Sequence, residues 1–231
     1  MGCAFPKFVR EFDTVIFPIG VETLAHRRPW PNWGVIALVI SLAVVVNGAP
    51  PPGLGWQMPL NFVLALGYEA HLGLALVSAG LLWVFGDGLC RRVGTGLYLL
   101  TIILCGVVSA MVHLHMGLSG AVGMLGAAHG CVGALVALYP KNELRLFSLS
   151  MYDWSTEALP LWLAGLLWWM ILMVLGGMEI GALPWWQWAA GMLCGFVWVL
   201  LCCWMGLVER VRDENPTLWE MLVRPPREDR R

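Results

Sequence analysis

The sequence predicts an all-α membrane protein, a bundle of six transmembrane helices with both termini in the cytoplasm. The 231 residues are 59% hydrophobic and only 13% charged, far outside the range of soluble globular domains. The hydrophobic residues fall into runs long enough to cross a bilayer, and the basic residues fall between alternate runs. We therefore expect one compact domain in the lipid bilayer, with no nucleic-acid partner.

Six apolar runs define the predicted spans. Each has about 17–25 residues, which at 1.5 Å per residue crosses about 30 Å of hydrocarbon. Their approximate bounds are 33–49, 68–86, 94–112, 117–139, 158–176 and 184–208. The predicted organisation is a cytoplasmic or interfacial segment (1–32), the transmembrane domain (33–208) and a charged cytoplasmic tail (209–231).

The basic residues orient these spans. All 14 lysines and arginines precede span one, separate spans two and three or four and five, or follow span six. They are Lys7, Arg10, Arg27, Arg28, Arg91, Arg92, Lys141, Arg145, Arg210, Arg212, Arg224, Arg227, Arg230 and Arg231. The positive-inside rule makes that side cytoplasmic. No cleavable signal peptide is visible, and we expect the inner membrane of a bacterium.

Span four is rich in glycine at helical spacing. The glycines recur every three or four residues, at Gly117, Gly120, Gly123, Gly126, Gly130 and Gly133. A helix face without side chains lets neighbouring helices approach its backbone closely, which is how membrane helices pack. Span four should therefore be central and surrounded. Ser119 falls in its predicted first turn, near the non-cytoplasmic side.

Several motifs resemble those of the rhomboid family of intramembrane serine proteases, in the right order and spacing. They are Leu82-Trp83-Val84-Phe85-Gly86-Asp87 with Arg92-Val93-Gly94, Gly117-Leu118-Ser119-Gly120-Ala121-Val122, Leu125-Gly126-Ala127 with Leu138-Tyr139-Pro140, Leu159-Pro160-Leu161-Trp162, and Trp188-x-x-Gly191-x-x-x-Gly195. The resemblance covers about residues 34–208. It implies a six-helix rhomboid-like bundle.

The resemblance also implies which positions would carry catalysis. In active members a serine attacks the peptide carbonyl, a histidine on the sixth helix takes its proton, and a histidine and an asparagine on the second helix stabilise the oxyanion. These positions correspond to Ser119, Trp188, Leu74 and Ser78. An indole N–H donates a hydrogen bond but accepts no proton. Three of the four positions therefore depart from the catalytic pattern.

Another histidine is the alternative source of a base. His71 lies on the predicted face of Leu74 and Ser78, and His115 lies four residues before Ser119, with His113 close to it. Either His71 or His115 paired with Ser119 would give a protease with a relocated base. His129, ten residues after Ser119, lies about 15 Å deeper along a helix and is out of reach of that serine.

A third hypothesis is a cofactor-binding subunit that uses histidine ligands. His113 and His115 point apart on a helix, and the seven cysteines show no paired metal-binding spacing. We therefore expect no cofactor and no metal. The leading hypothesis is a pseudoprotease that binds transmembrane helices of other membrane proteins as a scaffold, assembly factor or complex subunit. An active serine endopeptidase stays open as the alternative.

Overall fold

The computed structural model describes residues 15–21, 29–46, 72–115, 124–150, 153–177, 185–208 and 216–223. The described chain is mostly helical, with one small sheet. Its elements are β1 (Val15–Val21), α1 (Trp30–Val46), α2 (Leu72–Leu81), a π-helical turn (Leu82–Gly86), α3 (Asp87–His115), α4 (Leu125–Leu138), β2 (Glu143–Ser150), β3 (Asp153–Pro160), α5 (Leu161–Gly177), α6 (Trp185–Trp204) and α7 (Leu218–Val223).

A helix lies in each of the six predicted spans, but the second and third are joined differently from the prediction. The sequence suggested a loop around Arg91 and Arg92, whereas the helix continues through both residues. It is broken at Gly94, where φ is 79° and ψ is 168°. Glycine adopts this positive φ without a steric penalty. The break leaves two segments of about 30 Å each, the length that crosses a bilayer.

The helices of the described chain are strongly apolar. Leu72–His113 and Trp185–Trp204 are long and apolar enough to span a membrane, and Trp30–Val44, Leu125–Leu138 and Leu161–Ile171 are shorter apolar helices. Large apolar side chains are exposed on the bundle surface, a pattern that water disfavours and lipid accepts.

Helix α4 lies at the centre of the bundle, as the glycine pattern predicted. Of its 14 residues all but Val136 are buried. Helices α2, α3, α5 and α6 all pack against it. The predicted span began at 117, whereas the described helix begins at Leu125, after a bend at Met124. Residues 116–123 lie outside the described chain.

A buried polar contact joins α1 to the π-helical turn. The Asn32 side-chain amide donates to the Leu82 carbonyl oxygen at 2.9 Å, and the Tyr98 hydroxyl donates to Asn32 Oδ1. Gly86 makes room for this contact, since a Cβ there would lie 2.6 Å from Asn32 Oδ1. Because Asn32 and Tyr98 are fully buried, this contact fixes α1 and α3 against the end of α2.

A three-stranded antiparallel sheet, which the sequence analysis did not predict, joins two separate parts of the chain. Strand β2 lies in the middle, paired with β1 on one side and β3 on the other. In β2, Leu144 is buried while Glu143 and Arg145 are exposed, the alternation expected of a strand with one covered face. Strand β1 also contacts the π-helical turn, so the sheet caps that end of the bundle.

The C-terminal tail contains a short folded element. Helix α7 begins after Thr217, whose hydroxyl accepts from the Glu220 N–H at 3.3 Å, while the Glu220 carboxylate accepts from the Thr217 N–H at 3.1 Å. This reciprocal pair is a capping box. Because α7 contacts both α4 and α6, this part of the predicted cytoplasmic tail packs against the bundle.

Candidate functional site

The most extensive helix interface joins α4 and α6 through their backbones. A Cβ added to Gly191 would overlap the Gly126 carbonyl oxygen, and one added to Gly195 would overlap that of Gly130. Gly126 contacts Gly191, and four residues later on both helices Gly130 contacts Gly195, so α4 and α6 run parallel. The glycines recognised in the sequence on both helices therefore form one contact surface.

Trp188, at the position of the family's base, lies one turn before Gly191 on this interface. Its indole is buried and stacks on the imidazole of His129, with ring centroids 5.6 Å apart and planes inclined by 6°. Trp168 of α5 covers His129 from another direction, at 5.8 Å and 30°. The indole of Trp188 thus fills space between α4 and α6, at the position that the resemblance assigns to the base.

His129 is held in one tautomer by its own helix. Its Nδ1 lies 2.7 Å from the Leu125 carbonyl oxygen. Because a carbonyl only accepts, Nδ1 carries the proton and donates, which leaves the Nε2 lone pair free in the neutral ring. His129 is 1% exposed, and its Nε2 has no hydrogen-bond partner among the described residues.

Further buried polar groups surround the first turn of α4. Ser109 Oγ, both ring nitrogens of His113 and Gln187 Oε1 are buried without a hydrogen-bond partner in the described chain. Ser109 lies directly against Gly126, and the backbone oxygen of Gln187 is 3.5 Å from a Cβ built there. Buried polar groups in native proteins are nearly always paired. This layer therefore has an unused capacity for hydrogen bonds.

The other predicted site residues are distributed as follows. Leu74 is half-buried and packs against the core, while Ser78 is fully buried one turn further along α2. His115 is exposed at the end of α3. Ser119 and His71 lie outside the described residues, so the pairing of Ser119 with His71 or His115 stays a prediction.

Sequence reasoning missed the stacking of His129 on Trp188. The signal available was weak: one histidine in a glycine-rich span, and one tryptophan a turn before Gly191. Their contact depends on the register between α4 and α6, which a single sequence does not encode locally. The described residues contain no group of three or more histidine, cysteine or acidic side chains arranged to hold a metal.

Replacement of Trp188 should test how much the filled site contributes to stability. We expect Trp188→Ala to lower the free energy of unfolding by about 3–5 kcal/mol, because it removes a buried aromatic ring and leaves a cavity. Trp162→Ala is the matched control, since that side chain is 50% exposed and should cost little. Denaturation by sodium dodecyl sulfate would measure both variants. Equal losses would show that Trp188 does not pack as described.

Comparison with known proteins agrees with this arrangement. A family model, the Rhomboid domain, matches residues 61–205, which covers α2 to α6 and both glycine-rich helices. No curated protein and no solved structure matches the chain. Since the matched region exceeds half of the chain, this protein belongs to the rhomboid family.

Proposed function

We propose that this protein is a rhomboid pseudoprotease that binds transmembrane helices of other membrane proteins, as a scaffold, assembly factor or complex subunit. The observation that carries the proposal is the buried Trp188 stacked on His129. An indole in that place accepts no proton. Loss of a general base costs about 10²–10⁴-fold in rate.

The oxyanion positions support the same conclusion. Leu74 has no hydrogen-bonding group, and Ser78 offers a short hydroxyl where the family pattern has an asparagine. Loss of one oxyanion donor typically costs about 10²–10³-fold in kcat. The rate losses from the oxyanion positions and from the base position do not simply add, but both act against catalysis.

The nucleophile position is a further argument, because a nucleophile must lie within hydrogen-bond reach of its base. We infer that Ser119 holds the nucleophile position that the resemblance assigns to it, as a vestige, because Trp188 at the position of the base takes no proton from it.

A fluorophosphonate probe should test this assignment. We expect no labelling of the native protein, because position 188 offers no base that would activate Ser119. Trp188→His returns a base to that position and should restore labelling at Ser119, whereas Trp188→His combined with Ser119→Ala should not react. Mass spectrometry of the labelled peptide identifies the residue.

The same measurement tests the protease alternative. Labelling of native Ser119 that is lost in Ser119→Ala, and also in His71→Ala or His115→Ala, would establish a relocated base and contradict the pseudoprotease proposal. Cleavage of a reporter transmembrane substrate with the same dependence would do so as well.

Helix α5 offers the face for a partner helix. It makes only narrow contacts with α4 and α6, and it exposes a stripe of large apolar side chains at a spacing of four residues. The stripe consists of Trp162, Leu166, Met170 and Val174. Such a stripe matches one face of a second transmembrane helix.

Photo-crosslinking tests this face. A photoreactive amino acid at Met170 should capture transmembrane segments of particular membrane proteins in native membranes. The control position is Ile103 on α3, which is equally exposed at 54% and should yield only lipid adducts. The same set of proteins captured from both positions, in proportion to their abundance, would count against a binding role for α5.

We further propose six spans over residues 33–208, cytoplasmic termini and an inner-membrane location. Strand β1 precedes α1 and pairs with β2 after α4, which supports an even number of crossings between them. The parallel α4 and α6 support two crossings more. A fluorescent protein at either terminus should fluoresce, whereas alkaline phosphatase there should stay inactive. Active phosphatase at one terminus would refute this topology.

A further inference from the structure

Two cysteines from different spans are in contact inside the bundle. The thiols of Cys105 on α3 and Cys194 on α6 share a side-chain hydrogen bond. Cys105 is fully buried, whereas Cys194 is only partly buried. Cys90, Cys105, Cys131, Cys194, Cys202 and Cys203 are all free thiols. Neither member of the pair has a role in the proposed function.

The contact is built by a glycine of the central helix. A Cβ on Gly130 would lie 2.5 Å from both the Cβ and the Sγ of Cys105, and 3.2 Å from the Gly191 carbonyl oxygen. The backbone at Gly195, next to Cys194, packs on the Gly130 carbonyl oxygen. The absent side chain of Gly130 therefore lets α3 and the central turns of α6 meet beside α4. A larger residue there would separate the two sulfur atoms.

We propose that Cys105 and Cys194 are a modification site, a pair that forms a reversible disulfide tying α3 to α6. Two S–H bonds break and one S–S bond forms, and two electrons and two protons pass to an oxidant. A lipid-soluble quinone fits that role, because it accepts both electrons and both protons as it becomes a quinol. Cys194 is the reachable partner, since its side chain is partly open to the surface of α6.

The other thiols are poorer partners. Cys202 and Cys203 are adjacent in sequence, where a disulfide is strained by the short ring it closes. Cys131 lies on α4 and is fully buried, so an oxidant reaches it least easily. The sulfur atoms of Cys105 and Cys194 are already in contact, which a disulfide requires. The pair between α3 and α6 should therefore oxidise first.

The consequence of the bond would be mechanical. It would close a loop that contains all of α4 and α5, and add a covalent bond between α6 and α3 to the hydrogen bond that the Trp198 indole N–H donates to the Thr101 hydroxyl at 3.2 Å. Any partner binding that moves α6 away from α3 would then depend on the redox state. This inference does not require the pseudoprotease assignment, because neither thiol touches the position of the base.

The test uses the full-length protein in lipid nanodiscs that contain a fully substituted quinone. Oxidation should lower the intact mass by two hydrogen atoms and leave two fewer alkylatable thiols than the seven in the sequence. Digestion should yield one peptide pair joining residues 105 and 194, which dithiothreitol separates. Cys105→Ser and Cys194→Ser should each abolish the product, whereas the matched controls Cys131→Ser and Cys203→Ser should retain it.

Two outcomes would overturn the proposal. One is seven alkylatable thiols after quinone treatment, in a sample that remains monodisperse. The other is a disulfide that persists in Cys194→Ser, which would assign the reaction to Cys131 or another thiol. Gly130→Ala is a second test variant. A side chain at position 130 should slow formation of the 105–194 disulfide at least several-fold, while all seven thiols stay in place.

Discussion

The backbone contact between α4 and α6 is the constraint on which the rest of the structure depends. In lipid, apolar side chains gain nothing by leaving the solvent, so helices associate through close packing and hydrogen bonds. Gly126, Gly130, Gly191 and Gly195 remove the side chains that would keep the two backbones apart. Every other contact at the site follows from this approach.

The approach has two consequences at neighbouring residues of α4. It packs the indole of Trp188 against the imidazole of His129. At the next residue, Gly130, it lets Cys105 of α3 and Cys194 of α6 come into contact. The proposed loss of the base and the proposed disulfide thus share a single packing cause. A change to either glycine-rich surface would alter both.

The layer of buried polar groups beside α4 differs from what a simple apolar replacement of catalytic groups would leave. An apolar replacement of the catalytic groups would be expected to remove unpaired polar atoms as well, because each costs free energy in a dry interior. Ser109, His113 and Gln187 keep such atoms among the described residues.

The sequence predicted the helices and the central position of α4, because hydrophobic length and glycine spacing are local signals. It missed the sheet, because Val15 pairs with Leu149 far along the chain and the alternation within β2 does not identify a partner strand. It also treated Arg91 and Arg92 as a loop, because charges usually end an apolar span, whereas Arg91 is paired with Asp87 one turn earlier at 2.9 Å. The contact between Trp188 and His129 could not be predicted, because it depends on the register between α4 and α6, which no local sequence signal encodes.

The sheet has a consequence for the order in which the molecule is built. Strand β1 precedes α1 in the chain, and its partner β2 follows α4. During synthesis β1 must therefore stay unpaired until α1 to α4 have been made, and its pairing shows that they have been. The hairpin of β2 and β3 needs no such wait, because its strands are neighbours in the chain. Strand β1 therefore joins the sheet late, although it is made before its partner β2.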